Sequence, residues 1–299
     1  MKTGRVFEKI VETLLLMCAV SSVLIVFLLV GYVAWQGFPQ VVSWSLHGFG
    51  MTWSFDPDNV ASSDFGIIRT LFSTIYVGLG AVAIAVLIGL PTAIYIAEFS
   101  GPKIRNMIKP SMETLAGMPS VVMGYFGFFY ICPLIFSYFG EGGKITNGQG
   151  VLAAWMILAT MALPFIVSIS EDAIRAVPNS YREAAQGLGA TRWQTTLHVI
   201  LPEAKSGIMT AVLLALGSAL GETMAVIMVI GPNLNPPITL DPRPISNVLT
   251  TLIAQNVGQD SSGTGPLNSA LYGVGFILFV LVGILNIAVT MLVRERKQK

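Results

Sequence analysis

The sequence predicts an all-α polytopic membrane protein with six transmembrane helices, and three observations carry that prediction. Hydrophobic residues make up 54% of the chain and charged residues 11%, against about 25% charged in an ordinary soluble domain, and the mean hydropathy is +0.72. Six apolar runs approach or exceed the ~20 residues that a helix needs to cross a hydrocarbon core: about 13–35, 68–97, 112–139, 150–170, 208–231 and 270–293. When the chain is threaded through these runs, fourteen of its seventeen Lys and Arg residues fall on one side. They are Lys2, Arg5, Lys9, Lys103, Arg105, Lys109, Arg175, Arg182, Arg192, Lys205, Arg294, Arg296, Lys297 and Lys299. The positive-inside rule makes that side cytoplasmic and places both termini there. Lys144 and Arg243 stay outside, and Arg69 lies near the outer end of the second run.

The first run has about 23 apolar residues, more than a secretion signal uses, and no small-residue cleavage site follows Trp35. It reads as an uncleaved anchor, and residues 1–66 hold this anchor plus a first outer segment with Asp56, Asp58 and Asp64. The second and third runs are long enough to need a tilt or a break. Pro91, Pro119 and Pro133 are the kink sites, because proline lacks a backbone donor and clashes with the preceding turn. A second outer segment, about 232–269, is rich in Pro, Asn and Gly around one predicted helix. On that helix Val248, Leu249, Leu252, Ile253 and Val257 share one stripe, while Asn247, Thr250, Thr251 and Gln255 fall mostly opposite. It can cap the outer mouth or meet another protein on the outer side. The basic tail, 294–299, ends the chain. Cys18 and Cys132 read as small core residues, and with only His47 and His198 besides, the sequence offers no metal-ligand cluster.

Between the fourth and fifth runs lies a polar island, EAAQGLGATRWQTTLHVILP, from Glu183 to Pro202. Ser180-Tyr181-Arg182-Glu183 matches a capping box and predicts a short helix starting at Ser180. Pro178 limits it before, and Gly187 and Gly189 let the chain turn after it. A second helix is expected from about Thr191, carrying Trp193 and Leu197 up to Pro202. Alanines at 184 and 185 leave room for close approach by another surface.

Glu222 falls near the middle of the fifth run, where an ionisable group costs about 2.5–3.5 kcal/mol on insertion scales. Ala211, Ala215, Ser218, Glu222 and Ala225 form a small, polar stripe beside it, and Gly217 to Gly221 gives a G-x-x-x-G spacing that permits close helix contact. Two readings stand for this face, a solute path or subunit seam and plain packing. Arg69 likewise reads as an interfacial arginine or an attractor for an anion.

The island has the spacing E-A-A, three residues, Gly, nine residues, then [I/V]-x-L-P. This resembles the cytoplasmic coupling loop of ABC importer permeases, here within residues 172–206, with Glu183, Ala184, Ala185, Gly189, Leu201 and Pro202 at the motif positions and Val199 in place of Ile. Ala219-Leu220-Gly221-Glu222-Thr223-Met224-Ala225-Val226, Pro119-Ser120-Val121-Val122 with Gly124, and Arg175-Ala176-Val177-Pro178 are similar to the larger subunit of phosphate-specific ABC importer permeases. The resemblance covers about 65–293 and so takes in the whole of the expected transmembrane domain at 67–293. It implies a type I importer fold and a non-enzymatic transport subunit with a second homologous permease subunit, two ATPase subunits and an extracytoplasmic phosphate-binding protein as partners.

The ATPase-coupling residues implied are Ser180, Arg182, Glu183, Ala184, Ala185, Gly189, Leu201 and Pro202, and those of the path or seam are Arg69, Ser218, Glu222 and Thr223. Where the family often carries Arg four residues before the Glu, this chain has Ser218. No cofactor is expected on this chain, with ATP and Mg on the partner ATPase, because it has no G-x-x-x-x-G-K-[ST] loop. The alternatives are a permease for molybdate, tungstate or sulfate, a secondary transporter, and an intramembrane hydrolase, which lacks a histidine base inside a run.

Overall fold

A backbone inside hydrocarbon must satisfy its own N–H and C=O groups, and helices do so within one segment. The computed structural model describes residues 2–47, 49–55, 63–140, 147–258 and 265–294; Asp56, Asp58, Lys144, Arg296, Lys297 and Lys299 lie outside these. Among the described residues, six helical stretches are long and apolar enough to cross a membrane: Val11–Ser45, Ile68–Phe99, Ser120–Phe139, Val151–Arg175, Arg192–Gly221 and Pro266–Ile287.

The first stretch belongs to α1 (Lys2–His47), which at 46 residues runs well past the expected end near Trp35. Packing against the last helix, α12 (Pro266–Arg294), explains the excess. Tyr32 meets Tyr272 edge-on at 5.7 Å and Phe38 meets Phe276 at 6.3 Å. A Cβ on Gly37 would collide with the Tyr272 carbonyl oxygen. Trp44 then buries in a cluster with Leu249, Leu252, Leu271 and Val274. That cluster also holds Trp53 of a small hairpin, β1 (Trp53–Ser54) against β2 (Asp64–Phe65).

The body is made by α2 (Ile68–Ile94), α6 (Val151–Arg175) and α9 (Leu201–Gly221), which pack on one another through Val82, Ala85, Ala159, Ala162, Ile166, Ala215 and Ala219. Small side chains let helices approach where lipid supplies no hydrophobic drive. A Cβ on Gly89 would sit 2.9 Å from Ile166 Cγ2.

The third run starts later than expected, at Ser120. Residues 102–116 form a separate helix, α3 (Pro102–Ala116), with no buried side chain, and Gly117, Met118 and Pro119 break it from α4 (Ser120–Phe126). Pro119, at φ −58 and ψ 133, cannot continue a helix from the preceding turn. A π turn (Gly127–Ile131) then leads into α5 (Cys132–Phe139). Cys132 and Cys18 are both free thiols, the first buried and the second exposed.

The fourth helix extends five residues beyond the expected boundary because its polar end is neutralised from α3. Glu171, 2% exposed at its side chain, takes Arg105 Nε at 3.0 Å, Lys109 Nζ at 3.1 Å and Arg175 Nε at 3.6 Å. Lys109 also reaches Asp172 at 2.6 Å. That bond, foremost among its surroundings, raises the Lys109 pKa. A raised lysine loses its charge only above the ordinary lysine range, so this pairing is constant through neutral pH.

Glu171→Gln removes the shared carboxylate from three cations and should destabilise the detergent-solubilised protein by about 3 kcal/mol. Arg105→Gln, at a 31% exposed partner, should cost about 1 kcal/mol or less. Thermal unfolding of the two variants, compared with the unaltered chain, measures both.

Candidate coupling loop and translocation face

At the basic end, α6 gives way to a short helix, α7 (Asn179–Gly187), whose start differs from the sequence expectation. Pro178, extended at φ −58 and ψ 143, occupies the N-cap, and no side chain caps the helix. Ser180 is therefore drawn into the first turn, where the expected capping box with Glu183 is not made. The box forms instead one helix later. Thr191 Oγ1 accepts from Gln194 N at 3.3 Å, and Gln194 Oε1 accepts from Thr191 N at 2.9 Å, opening α8 (Arg192–Thr195).

The far end of α7 closes as a Schellman turn. Ala190 N donates to Ala185 O at 3.1 Å and Gly189 N to Gln186 O at 2.9 Å, with Gly189 at φ +86. A left-handed residue there favours glycine. Nothing lies within 4 Å of a Cβ at Gly189, so the backbone angle, and not space, is the reason for the glycine.

The second expectation to change concerns Pro202. It does not end the second helix; α8, a π turn (Thr196–Ile200) and α9 run continuously to Gly221. Leu201 N donates to Thr196 O, five residues back, so the helix widens just before the residue that has no N–H to give. The same device precedes Pro133, where Cys132 N donates to Gly127 O. Leu201 is half-buried and Pro202 exposed.

Arg182 turns inward from α7. Its Nη2 lies 2.7 Å from Glu98 Oε1 and donates to Ile174 O at 2.9 Å, while Nη1 donates to Val177 O at 2.6 Å. Glu98 sits in the π turn (Tyr95–Phe99) that finishes the second span. Ala185 is buried under α7, whereas Ser180, Glu183 and Ala184 are exposed. Leu188 is 91% exposed, beside exposed Tyr181, Trp193 and Leu197.

At the other end of α9 the helix stops at Gly221, earlier than the sequence predicts. Glu222 is extended, at φ −70 and ψ 127, and α10 (Met224–Ile230) starts afresh. Glu222 Oε1 accepts from Ala225 N at 3.1 Å, and Thr250 Oγ1 donates to the Glu222 carbonyl at 3.1 Å. The carboxylate thus caps a helix inside a break in the span.

The expected small-residue stripe divides into two faces. Ala211, Ala215 and Ala225 are buried within the subunit. Ser218 is exposed, Glu222 and Thr223 are half-buried, and nothing lies within 4 Å of a Cβ at Gly217 or Gly221. The G-x-x-x-G face is therefore open for another helix. Arg69 lies apart in the first turn of α2, half-buried, with its Nε finding no hydrogen-bond partner among the described residues.

Residues 85–298 match the family described as binding-protein-dependent transport system inner membrane component. A "Phosphate transport system permease protein PstC" of Mesorhizobium japonicum is 36% identical over 92% of this chain and 88% of its own length. The chain belongs to this family. A second PstC, from Pasteurella multocida, is 31% identical over 100% of this chain and 97% of its own. A "Probable ABC transporter permease protein YqgH" of Bacillus subtilis is 35% identical over 80% and 76%.

Among solved structures, a bacterial ABC transporter involved in the import of the acidic polysaccharide alginate matches at TM-score 0.59 and 17% identity, covering 97% of this chain and 99% of that one. The MetNI methionine ABC transporter matches at TM-score 0.59 and 20% identity, covering 77% and 95%. The fold is that of ABC importer permeases, and the chain is a multi-pass inner-membrane protein.

Sequence reasoning missed Glu98, Glu171 and Asn235. Asn235 binds both backbone groups of Trp53, accepting at 2.7 Å and donating at 3.1 Å. Each is an ordinary polar residue whose role is fixed by tertiary packing, so no local spacing marks it. The predicted outer helix, α11 (Leu249–Asn256), buries Thr250, Thr251 and Asn256 as well as Leu249 and Leu252. It is a packed element whose polar side chains are bonded within the protein.

Two substitutions test the site. Gly189→Ala should cost roughly 1–2 kcal/mol at the left-handed position and reduce the ATPase that co-purifies with the membrane-inserted chain. Glu222→Gln keeps an oxygen for Ala225 N while removing the charge. It should leave assembly intact and lower solute uptake if the carboxylate serves the path, as an uptake assay in membrane vesicles reads directly.

Proposed function

We propose that this chain is one transmembrane permease subunit of an ATP-driven, binding-protein-dependent phosphate importer. The observation that carries the reading is the 36% identity, over nearly the whole chain, to a protein named as a phosphate transport permease. The exposed knob around Leu188 and the open Gly217–Gly221 face support it, as a docking surface for an ATPase and a seam for a second homologous permease subunit. Two ATPase subunits, holding ATP and Mg, stand beneath the pair, and an extracytoplasmic phosphate-binding protein delivers the solute. In this arrangement α3 and α7 are cytoplasmic, as are both termini.

Ser180, Glu183, Ala184 and Gly189 belong to the coupling surface, with Arg182, Ala185, Leu201 and Pro202 holding it in place. Ser218, Glu222 and Thr223 line the path or seam. Arg69, at the opposite end, adds a positive charge near the mouth. With Ser218 standing where an arginine is common, the cationic contact for the anion comes from the partner permease, or hydroxyl and backbone donors serve instead. A permease for molybdate, tungstate or sulfate uses the same architecture with a different binding protein, and a relative named only as an ABC permease leaves that reading standing.

Reconstitution of the complete complex in proteoliposomes tests the function. Phosphate uptake should require ATP, the ATPase and the binding protein together. Uptake that continues without the ATPase would mark a secondary transporter, and uptake of sulfate or molybdate in place of phosphate would reassign the solute.

A further inference from the structure

The Glu98–Arg182 pair lies between three elements that end at the same place. Arg182 comes from α7, Glu98 from the π turn that finishes the second span, the Ile174 carbonyl from the last turn of α6 and the Val177 carbonyl from two residues past its end. The last carbonyls of a helix have no partner within it, and here one guanidinium takes two carbonyls at that end while it holds a carboxylate. The pair is largely shielded, at 17% exposure for Arg182 and 12% for Glu98. Beneath it Ile174, Val177, Ile200 and Ala204 form an apolar cluster with Ile94 and Ala97 packed against it, and Phe99 meets Trp193 at 6.1 Å. A planar, multi-donor group is the side chain suited to such a three-way junction.

At its other end, α2 makes a second set of polar bonds. Thr74 Oγ1 accepts from Leu249 N at 2.9 Å, and Ser246 Oγ donates to Ser73 Oγ at 2.9 Å. Leu249 starts α11, and Thr250 next to it holds the Glu222 carbonyl at the helix break. One run of bonded elements therefore joins α7 to the break, through Arg182, Glu98, α2, Thr74 and Thr250.

We propose that Glu98 and Arg182 are positioning residues for coupling: their ion pair is the joint through which a displacement of α7 is delivered to α2 and so to the Glu222 break. The inference rests on the reading of α7 as the surface that meets the ATPase. A helix held to α2 by apolar contact alone can slide, whereas a charge pair with two further carbonyl bonds fixes both direction and register. The joint acts on the efficiency of coupling and touches neither solute nor nucleotide.

The test uses the complete complex in proteoliposomes, reading solute transported per ATP hydrolysed together with the amount of assembled complex. Glu98→Gln and Arg182→Gln each leave one charge unpaired, which endangers folding. The double variant Glu98→Gln/Arg182→Gln leaves none and keeps amide donors and acceptors, so it is the deciding variant. It should assemble, hydrolyse ATP and transport roughly tenfold less solute per ATP, and Glu98→Asp with the native Arg182 should recover most of the loss. Unchanged transport per ATP in the double variant overturns the joint, as does a fall only in step with lost complex.

Leu188→Asp, on the exposed face at the end of α7, separates this failure from that of the underlying reading. If Leu188→Asp loses the ATPase while the double variant couples normally, the joint is wrong and the docking surface stands. If Leu188→Asp also binds the ATPase and couples normally, the reading of α7 falls and the joint with it.

Discussion

A backbone that breaks inside an apolar slab must find its hydrogen bonds within the protein, and that constraint organises this permease. Where α9 stops at Gly221, the N–H of Ala225 goes to the Glu222 side chain and the Glu222 carbonyl to Thr250. The irregular segment that follows is bonded in the same way. Ser246 N donates to Ile230 O, Val151 N to Pro244 O and Leu152 N to Pro242 O, while Thr251 and Asn247 satisfy the N–H of Val248. Non-helical backbone bordering a hydrocarbon core is tolerated only where protein or a cavity surrounds it. Hence α11 is buried on its polar face as well as its apolar one.

This requirement also shows which prolines matter and how. Pro133 and Pro202 each follow a π turn in which the residue before the proline bonds five residues back. The widened turn carries the helix past a missing donor and a ring that would otherwise strike the preceding carbonyl. The span at Arg192–Gly221 therefore continues from α8 to the break at Glu222 without interruption. At the basic end, the π turn at Tyr95–Phe99 carries Glu98, so a local widening at the end of α2 also serves as its attachment to α7.

Six spans, their order and the short helix between the fourth and fifth were legible in the sequence because each is written as a contiguous pattern: apolar length, or a polar run bounded by Pro178 and Gly189. Tertiary packing set what was not. Residues 36–47 look like loop, yet Gly37, Val41 and Trp44 pack on α12 and α11 and draw α1 out to His47. Ser180 carries a capping signal that Pro178 pre-empts, and the box forms instead at Thr191 with Gln194. The stripe through Ala211, Ser218 and Glu222 assumed one unbroken helix, which the bend at Glu222 does not provide. Glu98 and Glu171 were invisible, since a carboxylate near a span end reads as a solvated terminus until its arginine partner is placed 84 or 66 residues away.

The central claim is that a displacement at α7 reaches the Glu222 break through bonded elements. The most direct measurement is amide hydrogen exchange of the assembled complex with and without a non-hydrolysable ATP analogue. The account predicts nucleotide-dependent exchange at residues 221–226 and 246–251, with the middle of α2 protected in both states. Exchange at the break that ignores nucleotide while the coupling surface responds would contradict it.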